Sequence, residues 1–299
     1  MPDISFYDLV VVGHFAIDTI VKDGEKLEGA LGGPPTYASL AARKLGAKVG
    51  VISKVGDDFP REHVDFLSKN GIDLAGLKVV KGAKTTNYVL KYEDGERKLF
   101  LKARAPDIAL EDIPPDLVAR SVLLAPIAGE VKSPVVAELR RRTECLCLDP
   151  QGFVRKFLDD GTVVLTNWFD RPILSNVDVL KSSVREYECI MGKGRFREGL
   201  GKLHRLGIGI ILITLGEEGS IMSVRGRLYA IPSYHVKAVE TTGAGDAYIG
   251  AFLAEYCRGE DPIWCACVGS AAASFTVEDF GPRRFGGREE VVKRAQEIY

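Results

Sequence analysis

Short β-branched and apolar runs alternate along the chain with longer stretches in which apolar residues return every three to four positions. The runs fall at 9–12, 48–52, 122–124, 145–148, 163–165 and 208–214, and the helical periods at 36–45, 61–70, 133–142 and 194–206. Alternation of this kind predicts an α/β fold, a mostly parallel sheet with helices on both faces. One segment breaks the rhythm. Residues 85–102 read as two alternating strands with no helix between them and a turn at Asp94-Gly95. Tyr88, Leu90 and Tyr92 fall on one face of the first strand, and Leu99 and Leu101 on one face of the second. An excursion of that length from a compact α/β unit is expected to cover a pocket or to pair with a second subunit. No internal repeat, low-complexity tract or interdomain linker interrupts the pattern, so a single domain is expected over residues 1–299.

Charge narrows the partner. Lys and Arg number 40 and Asp and Glu 41, a net charge of -1, so no overall basic field exists to hold nucleic acid or an anionic membrane. The first apolar run is too short for a signal-peptide core and no run approaches a membrane span, which leads to the expectation of a soluble cytoplasmic protein with a small-molecule partner. The six cysteines (Cys145, Cys147, Cys189, Cys257, Cys265, Cys267) form no CxxC pair and read as small buried hydrophobes rather than metal ligands. Glutamine occurs only at 151 and 296 and asparagine only at 70, 87, 167 and 176, one compositional mark of thermophile proteins. In that setting Cys257 with Cys265 or Cys267 is a candidate disulfide.

Chemistry concentrates in ETTGAGDAYIGAFLAEY, from Glu240 to Tyr256. A small-residue turn there delivers Asp246 onto the first turn of an apolar helix. The first N–H groups of a helix lack internal partners, and Gly243 and Gly245 let backbone approach an anion closely, which suits a phosphate. A carboxylate beside such a nest is poorly placed to bind the phosphate and well placed to take the proton of a hydroxyl attacking it. That combination points to phosphoryl transfer to an alcohol. The four residues from Gly243 to Asp246 also fit an ordinary loop with an acid near a helix start.

Other segments decide between these readings. VVGHFAID ends a strand at Gly13 and leaves Asp18 beyond it; LGGPPTYASLAARKLGAKVGVISKVGDDF carries Gly32, Gly33, Tyr37 and Asp57; SVREYE carries Ser183 and Glu186; ILITLGEEGS carries Thr214, Gly216 and Gly219. Together with the ETTGAGD turn, these motifs resemble the ribokinase-like (PfkB) family of carbohydrate and nucleoside kinases over nearly the whole chain. The resemblance implies a three-layer αβα sandwich with a mostly parallel central sheet and a small antiparallel β lid inserted from about 14–35 and 84–103. It also implies ATP as donor, Mg²⁺, and a sugar, polyol or nucleoside as acceptor, in a monomer or a homodimer formed through the lid.

Residue by residue, the resemblance implies Asp246 as general base and Gly243, Ala244 and Gly245 as anion hole. Thr214, Gly216, Gly219 and Thr242 fall at nucleotide-binding positions, Glu186 at the acid that serves magnesium, and Asp18, Gly32 and Gly33 at substrate-binding positions. Three departures stand out: Tyr37 replaces the usual substrate-binding Asn, Ser183 stands where Asn is usual, and Glu240 replaces the leading Asp of the ETTGAGD signature. A monovalent cation near Glu240 and the Gly281 loop is implied with that last change attached. The segment LDPQGFVRKF, with Asp149, Gln151 and Arg155, together with Tyr37 is similar to archaeal inositol kinases of this family, which leans the substrate toward myo-inositol and makes Gln151 and Arg155 substrate ligands. Arg104 could serve likewise. A nucleoside kinase of the same fold, with a base stacked on Tyr37 or Tyr88, is the alternative, and a polyol sensor without turnover a further one. A dinucleotide-binding enzyme is disfavoured because VVGHFAID lacks the glycine fingerprint after the first strand.

Overall fold

The computed structural model describes residues 6–22, 25–93 and 96–299. The Asp94-Gly95 turn lies outside the described residues. The chain opens with β1 (Phe6–Val12), β2 (Ala16–Lys22) and β3 (Glu25–Gly32), then α1 (Pro34–Lys44), β4 (Val49–Gly56), α2 (Arg61–Lys69) and β5 (Asp73–Val80). β6 (Thr86–Glu93) and β7 (Glu96–Ala103) follow, then β8 (Val118–Leu124), α3 (Ser133–Arg140) and β9 (Thr143–Leu148). Next come β10 (Arg155–Phe157), β11 (Val163–Leu165), α4 (Arg171–Leu174), β12 (Val179–Ser183), α5 (Val184–Met191) and α6 (Phe196–Arg205). The chain closes with β13 (Ile210–Thr214), β14 (Ser220–Val224), β15 (Arg227–Ile231), α7 (Ala244–Tyr256), α8 (Pro262–Thr276) and α9 (Arg288–Ile298).

The large sheet runs β15-β14-β13-β12-β9-β8-β1-β4-β5. It is parallel from β13 to β5, and the β13–β14 and β14–β15 pairs at one edge are antiparallel. Its strands are near-continuous apolar runs because helices cover both faces. One face packs on α1, α7 and α8, through Leu40, Phe252 and Val268 among others. The other packs on α3, α5 and α6, through Val136, Tyr187 and Leu203. α7 and α8 are apolar nearly all round, which is what a helix buried on most sides requires.

The second sheet, β3-β2-β6-β7, stands apart. Both of its outer pairs are antiparallel, and the central β2–β6 pair runs parallel. Tyr88 and Leu101 face each other across β6 and β7, as do Leu90 and Leu99. These four residues and Tyr92 gather into one small cluster with Ile127, so the shared faces expected from the alternation are found.

Three expectations are corrected. The run 163–165 does not join the large sheet; it forms a separate two-stranded ribbon with β10. The helix expected from Gly194 starts at Phe196, because Gly192 and Gly194 both hold positive φ and lie in the turn ahead of it. The cysteines near the carboxyl end form no disulfide: Cys257, Cys265 and Cys267 are free thiols, and Cys257 instead donates to the Asp8 carbonyl at 3.0 Å.

Candidate active site

From β1 the chain winds outward to β4 and β5 in one direction, while β8, β9, β12 and β13 extend in the other. The crevice at the carboxyl ends of β1 and β8 is therefore where an open α/β sheet leaves room for a ligand. A cleft opens there, roofed by the second sheet. Asp18, Gly33, Tyr37, Gln151, Arg155, Thr242, Gly243 and Asp246 line it, with Tyr88, Leu90, Leu99 and Ile127 on the roof side.

Each element brings its side chain for a local reason. Asp18 sits on β2, and Gly32 on the paired strand passes directly over its carboxylate; a Cβ at 32 would lie 2.0 Å from Asp18 Oδ2. Gly33 precedes α1, and two prolines open that helix at positions where no N–H partner is needed. One turn further, Tyr37 lies 2% exposed with its ring beneath Gly243. Burial, with the carboxylates of Glu240, Asp18 and Asp246 around it, pushes its phenol well above the ordinary value.

Gly243 holds φ 78 and caps α7, which begins at Ala244. This left-handed residue turns the chain into α7 at the wall of the cleft, and the start of a helix suits an anion. Asp246 follows, half-buried in the first turn. Burial first, and the neighbouring Asp149 carboxylate second, raise its carboxyl from 3.8 to about 7, with Lys181, Gln151 and Arg155 opposing. That value is near the optimum for a general base at neutral pH.

Gln151 fixes the orientation of this acid. Its Nε2 donates to Asp246 Oδ1 at 2.9 Å and to Asp149 Oδ2 at 3.3 Å, while its Oε1 accepts from Arg155 at 3.0 Å, an arrangement that sets which end of the amide is which. Arg155 also donates to the Ile127 carbonyl at 3.1 Å and lies 5.9 Å from the Tyr88 ring. The Tyr88 hydroxyl donates to that same carbonyl at 2.6 Å.

Glu186 stands at the carboxyl end of β12. The Ser183 N–H and hydroxyl both donate to its Oε2, at 2.7 and 2.8 Å, in a capping box that starts α5. Burial works against its ionisation, but Lys181, the Ser183 N–H and Arg155 outweigh burial and hold its carboxyl below the ordinary value. Thr214 pairs in register with Ser183, so the TLGEEG turn lies beside this acid, and Gly216 and Gly219 bound the exposed turn 216–218. Among the described residues no group of three or more His, Cys, Asp or Glu is gathered to hold a metal ion.

Behind the glycine turn, Glu240 Oε1 accepts from the Thr242 N–H at 2.6 Å and from the Tyr92 hydroxyl of β6 at 2.8 Å. Its Oε2 is buried with no hydrogen-bond partner among the described residues. The turn and the small sheet are thus tied together.

The sequence-derived residues divide as follows. The cleft gathers Asp18, Gly33, Tyr37, Gln151, Arg155, Thr242, Gly243 and Asp246, with Gly32, Ala244 and Gly245 immediately behind. Thr214, Gly216, Gly219 and Glu186 belong to the neighbouring strand ends and do not line it. Asp57 is exposed in a turn where it accepts the Gly82 N–H, and Arg104 is held by the Ala128 carbonyl and Asp107, so neither faces the acceptor. One residue of the site went unread in the sequence: Lys181 on β12, buried, with its Nζ 2.7 Å from Asp149 Oδ2.

Comparison with known proteins places this geometry. The chain matches the pfkB family carbohydrate kinase over residues 7–119 and 154–285. It is 29% identical over 283 residues to a cytidine kinase of Thermococcus kodakarensis, covering 92% of this chain and 97% of that one. Among solved structures, a pyrophosphate-dependent kinase of the ribokinase family complexed with a pyrophosphate analog and myo-inositol aligns with TM-score 0.77 at 27% identity, covering 95% of this chain and 98% of that one. A pyrophosphate-dependent myo-inositol-1 kinase, converted into a myo-inositol-3 kinase by two substitutions to leucine, aligns with TM-score 0.79 at 27% identity, covering 97% and 99%.

Proposed function

We propose, from the premise that the chain belongs to the pfkB family of carbohydrate kinases, that this phosphotransferase, which acts on an alcohol group, phosphorylates a hydroxyl of a sugar or cyclic polyol, with myo-inositol the preferred candidate. The observation that carries the reading is Asp246: a recessed carboxyl, oriented through Oδ1 by Gln151, on the first turn of a helix that starts at the wall of the same cleft. Its Oδ2 is left to accept the acceptor's proton. The N–H groups around Gly243, Ala244 and Gly245 stabilise charge on the transferring phosphoryl oxygens.

The walls favour a polyol over a nucleoside. Tyr37 and Tyr88 are 2% and 4% exposed, and their rings are occupied by Gly243 and Arg155, so neither offers a face for a base. Asp18, Gln151 and Arg155 instead line the cleft with polar side chains of the kind that bind hydroxyls. Leu90 and Leu99 close the opposite side and would select which hydroxyl turns toward Asp246. The whole chain acts as one catalytic unit in which β2, β3, β6 and β7 form the lid that keeps water from the transferred group.

ATP with magnesium is the proposed donor, with Thr214, Gly216 and Gly219 along its phosphates. Glu186 fits the magnesium: Ser183 holds its Oε2, which fixes the carboxylate at the strand end. Magnesium usually takes one or two carboxylates, with phosphates and waters completing its shell. When bound it neutralises charge on those phosphates. Glu240, with an orphaned buried oxygen, fits a monovalent cation behind the anion hole. Pyrophosphate is the second donor reading, favoured by the two inositol-kinase structures above. The test offers Mg-ATP and Mg-pyrophosphate against myo-inositol, ribose, fructose, cytidine and adenosine, with product mass as readout. Phosphoinositol as the principal product supports the reading; a phosphorylated nucleoside as the principal product overturns the acceptor assignment.

A further inference from the structure

Lys181 is the unusual residue of this site. It lies on β12, a strand covered on both faces, and its side chain is 5% exposed. The ammonium bonds Asp149, whose side chain is fully buried at the end of β9. A Cβ at Gly245 would come within 2.7 Å of Nζ, so the first turn of α7 packs close against the ammonium. From Asp149 Oδ2 the chain of contacts continues through Gln151 Nε2 to Asp246 Oδ1.

A buried lysine–aspartate pair is a weak device for stability, since desolvation consumes most of the attraction between the charges. A hydrophobic pair would hold β9 to β12 equally well. The pair makes sense where its field is used, and it is aimed at the turn that carries the proposed base.

We propose that Lys181 and Asp149 are positioning residues for phosphoryl transfer: a buried pair of opposite charges that, with Gln151, holds Asp246 in place and balances its charge. This rests on the assignment of Asp246 as base. The two members act in opposite senses. The ammonium favours the carboxylate form of Asp246 and the Asp149 carboxylate opposes it. The other groups facing this cluster are Arg155, beyond β9; Glu186, on α5; Tyr37, on α1; Cys147, on β9; and Tyr248, on α7.

The test is a carboxyl titration of Asp246 in the whole protein, read as the infrared or carbon-13 difference between each background and the same background carrying Asp246→Asn. It requires no turnover, so it stands or falls separately from the acceptor and donor assignments. Lys181→Met should move the Asp246 midpoint up by about one pH unit or more, and Asp149→Asn should move it down, since a single close charge shifts a carboxyl by that order. The double variant Lys181→Met/Asp149→Asn removes both charges, leaves no buried charge unpaired, and should return the midpoint toward wild type. With turnover in hand, the acid limb of kcat should follow the same order. Shifts of the same sign in both single variants, or a double variant displaced further than either, overturn the proposal. Should a single variant fail to fold, the double variant in comparison with the surviving single decides: equal midpoints in the two overturn it.

Discussion

Replacing Asp246 by asparagine removes a proton acceptor and a recessed charge together, and the two losses act on different quantities. The amide can still accept from Gln151 through Oδ1, so the side chain keeps its place. Without a general base, turnover should fall by about 10²- to 10⁴-fold while acceptor binding changes little. Stability should move the other way. The wild-type carboxyl is raised in the folded protein from 3.8 to about 7, by burial first and the Asp149 carboxylate second. Between those values the folded state binds more protons than the unfolded one, so the associated stability is complete at low pH and is lost as pH rises through about 7. At about 1.4 kcal/mol per pH unit, the interval amounts to about 4 kcal/mol at pH 8, an upper figure because water reaches the half-buried group. Asparagine carries no such cost. The variant should therefore melt several degrees above wild type at pH 8, and the gap should narrow by more than half at pH 5. Turnover at saturating acceptor and melting curves at both pH values are the assays. Unchanged turnover, or a melting gap that is the same at pH 5 and pH 8, would refute the reasoning.

Two further outcomes follow from the cleft. Gly243→Ala places a methyl 2.2 Å from the Tyr37 ring on a residue with φ 78, so it should lower stability by about 2 kcal/mol or more and depress turnover together, measured by thermal melting and the kinase assay. Leu90→Asn with Leu99→Ser makes one cross-strand pair of the lid polar; it should redistribute which hydroxyl is phosphorylated, read by phosphorus-31 and proton NMR of the product, with the melting temperature lowered by only a few degrees.

The parts of this fold that follow one rule at a time were legible in the sequence. Strands such as β1, from Leu9 onward, and β13, up to Ile213, are apolar runs because both faces are covered, and β6 and β7 announce themselves by alternation. β12 was not read. Its sequence, VLKSS, sets a lysine in the middle of a strand that the rule requires to be apolar, and nothing local says that Asp149, 32 residues earlier, meets that charge. The 163–165 run obeyed the strand rule and still left the large sheet, since composition fixes a strand's tendency and not its partner. Within the site, Asp246 was visible because a glycine turn and an apolar helix flank it. That Gln151 would reach it across 95 residues of chain, and that Arg155 would bind this amide rather than an acceptor alone, depends on the meeting of the segment after β9 with the first turn of α7.

The bond from Tyr92 to Glu240 has a bearing on how such proteins diverge. The family signature has aspartate where this chain has Glu240, and it is the extra methylene that carries the carboxylate to a tyrosine on β6. A shorter acid would fall short of that hydroxyl, and a phenylalanine at 92 would leave the longer acid with one fewer donor. The two positions should therefore change in concert: descendants that revert to aspartate should lose the tyrosine, and a chimera that exchanges only one of them should inherit a roof and a floor that no longer meet.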